Sequence, residues 1–280
     1  MSWRFPSPPS PLVVLGGAII GALVIVAVFA PLIAPYDPRS LTGDALERPS
    51  AAHLFGTNDV GRDIFSEVVW GTRASLTVAL LGASIVMVGG VLAGVFLPLL
   101  GGTVDRLANR IVVMWLALPG LPLLMLVAAM AGPSPTTIIA VIALIGWAPN
   151  SRVLRSQTLS LRQRGFVASA RGFGAGPLYL VRRHFLPRLG PLVVLGFVNW
   201  AAISISLEAG LSFLGVGDPT GVSWGQVLNR ALGYQGLYFG GLWTWWVLPV
   251  SSAITLAVLG FTFVGVGLEP SFNPRWRRNV

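Results

Sequence analysis

Few side chains in this chain have the type and spacing that could support chemistry. Glu208 is the only acidic residue inside one of the long apolar stretches of the sequence, where an isolated carboxylate is costly unless it is paired or functional. Two interpretations stay open for it: a structural contact with water or a neighbouring donor, and a direct contact with a ligand. The two histidines, His53 and His184, lie in separate polar segments. The sequence therefore predicts no histidine metal site and no Ser/His/Asp triad.

A second candidate is the glycine-containing segment that ends in Arg62-Asp63. Gly56 and Gly61 could suggest a phosphate-binding loop, but such a loop also needs a lysine between a strand and a helix, and both are missing. We interpret these glycines as turn residues and expect Asp59, Arg62 and Asp63 to form local polar pairs. The chain has no cysteine, which excludes thiolate ligands, disulfides and cysteine nucleophiles. We therefore predict that the chain is not an enzyme.

The composition indicates the environment in which these residues must be positioned. Of the 280 residues, 54% are hydrophobic and 10% charged, and the mean hydropathy is +0.75. Soluble domains carry about 25% charged residues, so this chain has too few to cover a surface in water. The net charge of +9 comes from arginines that lie between apolar runs rather than on one face. This pattern is typical of loops beside membrane segments, and it argues against a nucleic-acid partner.

Uncharged runs of about 20 residues are long enough to cross the hydrocarbon core of a bilayer. The first run exceeds the apolar region of a signal peptide, so we interpret it as a retained span. The long run between Arg110 and Arg152 contains the turn signal Gly132-Pro133-Ser134-Pro135 and is divided in two. The prediction is an all-α fold with six transmembrane helices. They are Leu12–Ile33, Ala74–Leu97, Ile111–Ala131, Thr136–Asn150, Leu189–Val216 and Trp245–Leu268.

Two spans contain residues that affect helix packing. Gly90 and Gly94 form a small-xxx-small pair in the second span, and this pattern predicts close packing against another helix. Pro119 and Pro122 predict a kink in the third span.

The arginines predict the orientation. Six spans leave both termini on one side, and a cytoplasmic N-terminus places most of the 19 arginines in the cytoplasm and most acids outside. The predicted segments are a cytoplasmic tail 1–11, a first transmembrane helix 12–33, an external segment 34–73, a five-helix core 74–268 with a cytoplasmic loop 151–188, and a cytoplasmic tail 269–280.

The cytoplasmic loop has a helical pattern of its own. Phe166, Ala170 and Phe173 recur at i, i+4 and i+7 and form an apolar stripe. Pro177 is suited to start a second short helix, and Pro187 is expected to end it. The residues alone leave two interpretations open: a helix that inserts into a groove on another protein, and an amphipathic loop on the membrane surface. The two helices are separated by three glycines, Gly172, Gly174 and Gly176.

This loop resembles the cytoplasmic loop of ABC-importer permeases, in which E-A-A is followed four residues later by Gly and then by I-x-L-P. The matching residues are Ala168-Ser169-Ala170, Gly174 and Phe185-Leu186-Pro187; Ala168 stands where the family has Glu. In that family the loop is a coupling helix that docks on the ATPase subunit. The resemblance implies that the docking residues are Phe166, Ala168, Ser169, Ala170, Arg171, Phe173 and Gly174.

Further motifs resemble the C-type permease subunits of dipeptide and oligopeptide importers. They are His53–Asp63, Gly71–Leu76, Leu207–Gly217 and Ser223–Gly225. The resemblance implies a peptide cargo, although nickel permeases share the pattern, so nickel or another small solute is the alternative. It also implies a set of structural signature residues: Gly56, Asp59, Gly61, Arg62, Asp63 and Glu208.

The same resemblance implies an assembly in the inner or plasma membrane. Its other members would be a second homologous permease subunit, two ATPase domains that bind ATP-Mg, and an extracytoplasmic substrate-binding protein, with lipid around the spans and no cofactor in this chain. An ion-driven secondary transporter is the alternative of another class, but it would need coupling acids near the bilayer midplane or an inverted repeat. The sequence shows neither of these features.

Overall fold

The computed structural model describes residues 10–218 and 221–272, so most of the two predicted tails lies outside the described residues. Over these residues the secondary structure is helical, with one isolated bridge between Thr57 and Asp63. The α-helices are α1 (Pro11–Val28), α2 (Ala30–Ile33), α3 (Ile64–Val91), α4 (Leu97–Leu100), α5 (Gly102–Leu116), α6 (Gly120–Ala131), α7 (Pro135–Arg162), α8 (Gly165–Gly172), α9 (Pro177–Leu180), α10 (Leu186–Phe213), α11 (Trp224–Gly233) and α12 (Trp243–Phe272).

In the described part of the chain, five continuous helical stretches are long and apolar enough to cross a membrane, and each overlaps one of the predicted spans. Three contain the whole span, whereas the first ends at Val28, before Ile33, and the fourth ends at Phe213, before Val216. Several extend beyond the prediction because a charged residue ends an apolar run without ending a helix, and arginine is a good helix former. The five stretches are Pro11–Val28, Ile64–Leu100, Pro135–Arg162, Pro177–Phe213 and Trp243–Pro270.

The third predicted span, Ile111–Ala131, is divided into α5 and α6. The break covers residues 117–119 and ends at Pro119, which lacks the N–H that would continue the hydrogen-bond ladder and is followed by Gly120. The two pieces are anchored differently. On α5 the indole Nε1 of Trp115 donates to the carbonyl of Leu144 at 2.7 Å, and on α6 Leu124 is buried.

Two long stretches contain a wide π-helical turn. Leu92–Phe96 joins α3 to α4, and Val181–Phe185 joins α9 to α10. The prediction that Pro187 ends a short helix is therefore wrong, because the chain continues helically from Pro177 to Phe213. The N–H of Leu186 bonds to the carbonyl of Val181, five residues earlier, and this wide turn accommodates the proline ring.

The largest apolar cluster lies between α3, α10, α11 and α12. Trp224 and Trp246 are its largest side chains, and both are fully buried. α1 packs mainly against α12, where the Oγ of Ser10 donates to the carbonyl of Gly267 at 3.0 Å. A second cluster, which contains Val95, Leu154 and Phe185, connects the last turns of α7 with the two π-turns.

Gly90 in α3 and Gly94 in the π-turn that follows it face α7, which confirms the predicted close packing. A Cβ atom on Gly94 would meet the carbonyl oxygen of Ser151, and one on Gly90 would meet the side-chain amide of Asn150. At Gly94 the backbone of α7 is so close that a side chain would force the two segments apart, and at Gly90 a side chain would displace Asn150. This contact fixes α7, which leads directly into the loop that resembles a coupling helix.

Candidate functional site

The helical bundle has two functional ends. α3 begins at the cap end, formed by residues 34–63, and its stretch ends at Leu100 beside the loop end, formed by residues 151–188. A helix of 37 residues is about 55 Å long, which exceeds the thickness of a hydrocarbon core. The candidate site residues predicted from the sequence therefore fall into two groups at opposite ends of the molecule.

At the loop end, α8 ends in a Schellman motif. The N–H of Ala175 donates to the carbonyl of Ala170 at 3.0 Å, and the N–H of Gly174 donates to that of Arg171 at 2.9 Å. Gly174 has a φ of +83°, in the left-handed region where a Cβ atom is disfavoured. The glycine that matches the family pattern thus supplies the reversal that closes the helix.

The predicted stripe of Phe166, Ala170 and Phe173 does not lie on one face. Phe166 and Ala170 are half-buried against the chain's own apolar cluster, whereas Phe173 is 94% exposed. The cause is that α8 ends at Gly172, so Phe173 is the C-cap and leaves the helical register. The residue that anchors α8 is Val167, which is 2% exposed and was not singled out from the sequence. Its i, i+3 spacing with Ala170 is the signal that could have identified it.

Further contacts hold α8 against the helix that follows. The ring of Phe166 lies 5.6 Å from that of His184, and the guanidinium of Arg188 lies 4.0 Å from the Phe166 ring centroid. Arg171 points back to the bundle, where its Nη2 donates to the carbonyl of Leu99 at 3.2 Å. Ala168 and Ser169 are exposed. The loop thus has one braced face and one open face.

A pocket of about 390 Å³ lies on the open face. Two large exposed side chains stand beside it, Phe173 and Tyr179, the latter 54% exposed. Exposed aromatic side chains that flank a concave surface are typical of protein contact sites. The pocket is lined by Ala170, Phe173, Gly174, Ala175, Gly176 and Tyr179.

At the cap end, the signature glycines occupy turns. Gly56 and Gly61 have φ values of +70° and +85°, and a Cβ atom on either would collide with the backbone of residues 43–49. Asp63 caps α3 by accepting from the N–H of Ser66 at 2.8 Å. These residues fix the point at which the predicted external segment ends and α3 begins.

The partners of the signature charges differ from the expected pairs. Asp63 is paired with the imidazole Nδ1 of His53, 3.0 Å away, rather than with Arg62. Asp59 is exposed, and no described residue forms a hydrogen bond or ion pair with its side chain. The backbone N–H of Arg62 donates to the side chain of Asn58 at 2.9 Å. The ion pair in this segment therefore joins Asp63 to His53, ten residues earlier, and not two members of the set Asp59, Arg62 and Asp63.

Glu67 is a further buried acid, and its burial was not predicted from the sequence. It is fully buried in the first turn of α3, and its Oε1 lies 3.0 Å from the Nη1 of Arg230 on α11. The amide of Asn58 donates to the other carboxylate oxygen at 3.3 Å. The sequence placed Glu67 in the external segment because the apolar run begins only after Arg73. This ion pair joins α11 to the start of α3.

Glu208 is buried on α10, with 1% of its surface exposed. Its carboxylate accepts hydrogen bonds from the hydroxyls of Ser75 at 2.7 Å and Ser212 at 2.9 Å. It also lines a pocket of about 520 Å³ at the cap end, together with Arg39 and Arg73. Both interpretations made from the sequence, structural contact and ligand contact, therefore have a structural counterpart.

The comparisons with known proteins decide the family. The model for a "binding-protein-dependent transport system inner membrane component" matches residues 86–278. The chain belongs to this family. It is a transmembrane permease subunit of an ABC importer. A second model, the "N-terminal TM domain of oligopeptide transport permease C", matches residues 10–49 of the permease, which include α1 and α2.

Similar proteins cover almost all of the permease. A putative peptide permease protein of Brucella suis is 37% identical over 95% of this chain and 88% of its own length. A probable D,D-dipeptide transport system permease protein of Escherichia coli is 34% identical over 95% and 88%. A dipeptide transport system permease protein of Bacillus subtilis is 32% identical over 95% and 83%.

A solved structure confirms the fold. A chain of the MetNI methionine ABC transporter, from crystals of its inward-facing conformations, aligns with 75% of the permease and 98% of its own length. The TM-score is 0.52 and the sequence identity is 22%, so the likeness concerns the fold alone.

Proposed function

We propose that this permease forms half of the translocation path for short peptides in an ATP-driven importer of the inner or plasma membrane. The observation that carries the proposal is the set of relatives over 95% of the chain, which are named for peptide, D,D-dipeptide and dipeptide transport. These names favour a peptide cargo over nickel, which the sequence motifs alone left open.

We infer that the loop end faces the cytoplasm and the cap end faces outward. The loop end carries exposed arginines, among them Arg164, Arg182 and Arg183, while the cap end carries exposed acids such as Asp37 and Asp59. This asymmetry is what the positive-inside rule predicts. Both termini are then cytoplasmic, and α1 precedes a five-helix core over residues 74–268.

The open face of the loop end is the proposed docking surface for an ATPase subunit. Phe173 is the candidate anchor, because a nearly fully exposed aromatic side chain gains most when a partner's groove removes it from water. Ala168 and Ser169 lie on the same open face, Gly174 holds the turn, and Phe166 braces α8 from behind. Ala170 is half-buried at the edge of the open face, where it lines the pocket. Arg171 lies at the side of the docking surface, where its guanidinium also donates a hydrogen bond to the carbonyl of Leu99.

The proposed assembly contains a second homologous permease, two ATPase domains and an extracytoplasmic binding protein. Many large apolar side chains of the permease are exposed in the isolated chain, including Leu126 and Met130 on α6 and Val266 on α12. Lipid and the second permease are the partners that would cover such surfaces.

The test is uptake by vesicles that contain the assembled transporter. We expect labelled di- and tripeptides to accumulate only when both ATP and loaded binding protein are supplied, and a chelated nickel ion to be left behind. ATP is replaced by a non-hydrolysable analogue in the control. Peptide accumulation driven by a proton or sodium gradient without ATP would contradict the ATP-driven mechanism. Uptake of nickel in preference to peptide would contradict the cargo.

A further inference from the structure

Three arginines at the loop end contact one short segment, residues 97–105, which we call the elbow. It contains α4, the reversal at Gly101 and the first turn of α5, and it joins the second predicted span to the third. Arg162 Nη1 donates to the carbonyl of Pro98 at 2.9 Å, and Arg171 Nη2 donates to that of Leu99 at 3.2 Å. Arg155 forms a bidentate ion pair with Asp105, in which Nη1 and Nη2 each donate to one carboxylate oxygen.

Two of these contacts use groups that the fold leaves without partners. The last carbonyls of a helix have no N–H donor within it, and a cation near the C-terminus also interacts favourably with the helix dipole. Pro98 and Leu99 are buried, which strengthens hydrogen bonds to their carbonyls. A Cβ atom at Gly101 would lie at a contact distance of 3.4 Å from Nη2 of Arg162, so this side chain lies directly beside the reversal.

The three arginines come from the elements that lead into and form the coupling loop. Arg155 and Arg162 lie on the last two turns of α7, and Arg171 lies on α8. The linker between α7 and α8 consists of two residues, 163 and 164. A displacement of α8 therefore acts on the elbow through the side chain of Arg171 and, one short step away, through that of Arg162.

The helices beyond the elbow are loosely attached to the rest of the chain. In α5 only Val112 is buried, while Val104, Leu107 and Met114 are half or more exposed. Besides the elbow, α5 has a polar anchor where Trp115 donates to Leu144. Weakly packed helices of this kind can move as a unit when one end is displaced, because few apolar contacts oppose the movement.

We propose that the elbow transmits the movement of the coupling loop to α5 and α6, and that Arg162 and Arg171 are the positioning residues of this link. The proposal rests on the proposed docking of the loop on an ATPase subunit. It adds a specific route: the third predicted span moves with α8 because the elbow that leads into it is held by arginines of the loop end. Without them, ATP hydrolysis continues but moves α5 less.

The test uses the assembled transporter in vesicles and measures peptide taken up per ATP hydrolysed. We expect Arg162→Ala to lower this ratio on the order of tenfold, which corresponds to the free energy of one charge-assisted hydrogen bond. Arg162→Lys keeps a charged donor and is expected to restore much of the ratio. Arg182→Ala is the matched control, since Arg182 is an exposed arginine of the same end with no hydrogen bond or ion pair to a described residue.

A second experiment measures the movement of the elbow itself with a spin label. This chain lacks cysteine, so a spin label attached to the permease at Val104→Cys before assembly is the only label on it, at an exposed position in the first turn of α5. We expect ATP to change its spectrum in the otherwise unaltered chain and in the Arg182→Ala background, and to leave it nearly unchanged with Arg162→Ala. If Arg162→Ala fails to accumulate in the membrane, Arg162→Gln replaces it.

The outcomes separate the two proposals. ATPase subunits that do not associate with the unaltered permease through this loop would contradict the docking. With docking intact, an unchanged uptake ratio together with a normal spectral response in the Arg162 variants would overturn the link. A loss of uptake matched by an equal loss of ATP hydrolysis would overturn it as well, because the ratio would not fall.

Discussion

Ser75 on α3 donates a 2.7 Å hydrogen bond to the carboxylate of Glu208 on α10, and the same hydroxyl accepts the backbone N–H of Trp224 at 3.3 Å. One serine thereby joins three helices at the cap end. Because Glu208 is buried, each donor to its carboxylate offsets part of the cost of removing the charge from water.

We expect Glu208 to act chiefly through this network. Glu208→Ala leaves Ser75 and Ser212 without their acceptor and should lower the stability of the purified permease by about 2 kcal/mol, as for other charge-assisted hydrogen bonds. Thermal unfolding in detergent measures the change. Ser75→Ala is the matched variant on the other side of the bond. A normal unfolding temperature combined with a changed KM for peptide uptake would favour the ligand interpretation instead.

Gly174→Ala should destabilise the loop, whereas Gly172→Ala should not. Neither added methyl group would meet another atom within 4 Å, so the two variants differ only in that Gly174 has a φ of +83°. The strain at residue 174 is expected to be about 1 kcal/mol. Co-purification of the ATPase subunits measures the effect, and Gly174→Leu should weaken it further. Equal behaviour of the two alanine variants would show that the reversal is not needed for docking.

A carboxylate should be tolerated at residue 168 but not at residue 170. Ala168 is exposed and matches the family's Glu, while Ala170 is half-buried beside the pocket on the open face. Ala170→Glu places a charge against apolar atoms and should reduce both ATPase association and peptide uptake. Ala168→Glu is the control with the same added group. Full uptake by both variants would remove this face from the docking surface.

Gly94→Ala should weaken the contact between the π-turn Leu92–Phe96 and α7. The added methyl would meet the carbonyl of Ser151 and lie 2.9 Å from Cβ of Leu154, so the helices must separate. We expect a loss of about 1–3 kcal/mol, typical of overpacking. Gly17→Ala on α1 meets no atom within 4 Å and is the control, with neutral or slightly raised stability. Unfolding temperatures in detergent that fall equally for both variants would contradict this explanation.

The orientation can be checked with reporter fusions. An enzyme that is active only outside the cytoplasm should work when fused at residue 50 or 221 and fail when fused at residue 160 or after residue 278. The reason is that the cap end is expected outside and both termini inside. Activity of the fusion at residue 160 would overturn the proposed topology.

The sequence predicted the helices well because a membrane span requires a long uncharged run. It predicted their ends less well. Arg152, Arg155 and Arg162 end an apolar run, yet α7 continues through all three, since arginine is compatible with a helix outside the hydrocarbon. Pro187 was expected to end a helix, but a preceding π-turn accommodates it. Such turns have no sequence signal in a single chain.

The candidate site was predicted in outline. The Gly174 turn follows from glycine alone, because left-handed backbone favours it. Which face of α8 points inward could not be predicted, because Phe166 and Phe173 are equally apolar and the helix ends between them. The pair of Glu67 and Arg230 joins residues distant in the sequence, and local spacing contains no information about such contacts.

The contact between α1 and α12 joins two helices that are synthesised at very different times. The hydrogen bond from Ser10 to Gly267 links residues 257 positions apart, so α1 leaves the ribosome well before α12, its main packing partner. Until then α3 is the main long helix beside α1, and lipid covers much of the remaining surface. This suits the composition of α1, because only Gly16 of its 18 residues is buried in the finished fold. The packing of α1 is therefore completed late in the biogenesis of this permease, when α12 arrives beside a helix that is already in the membrane.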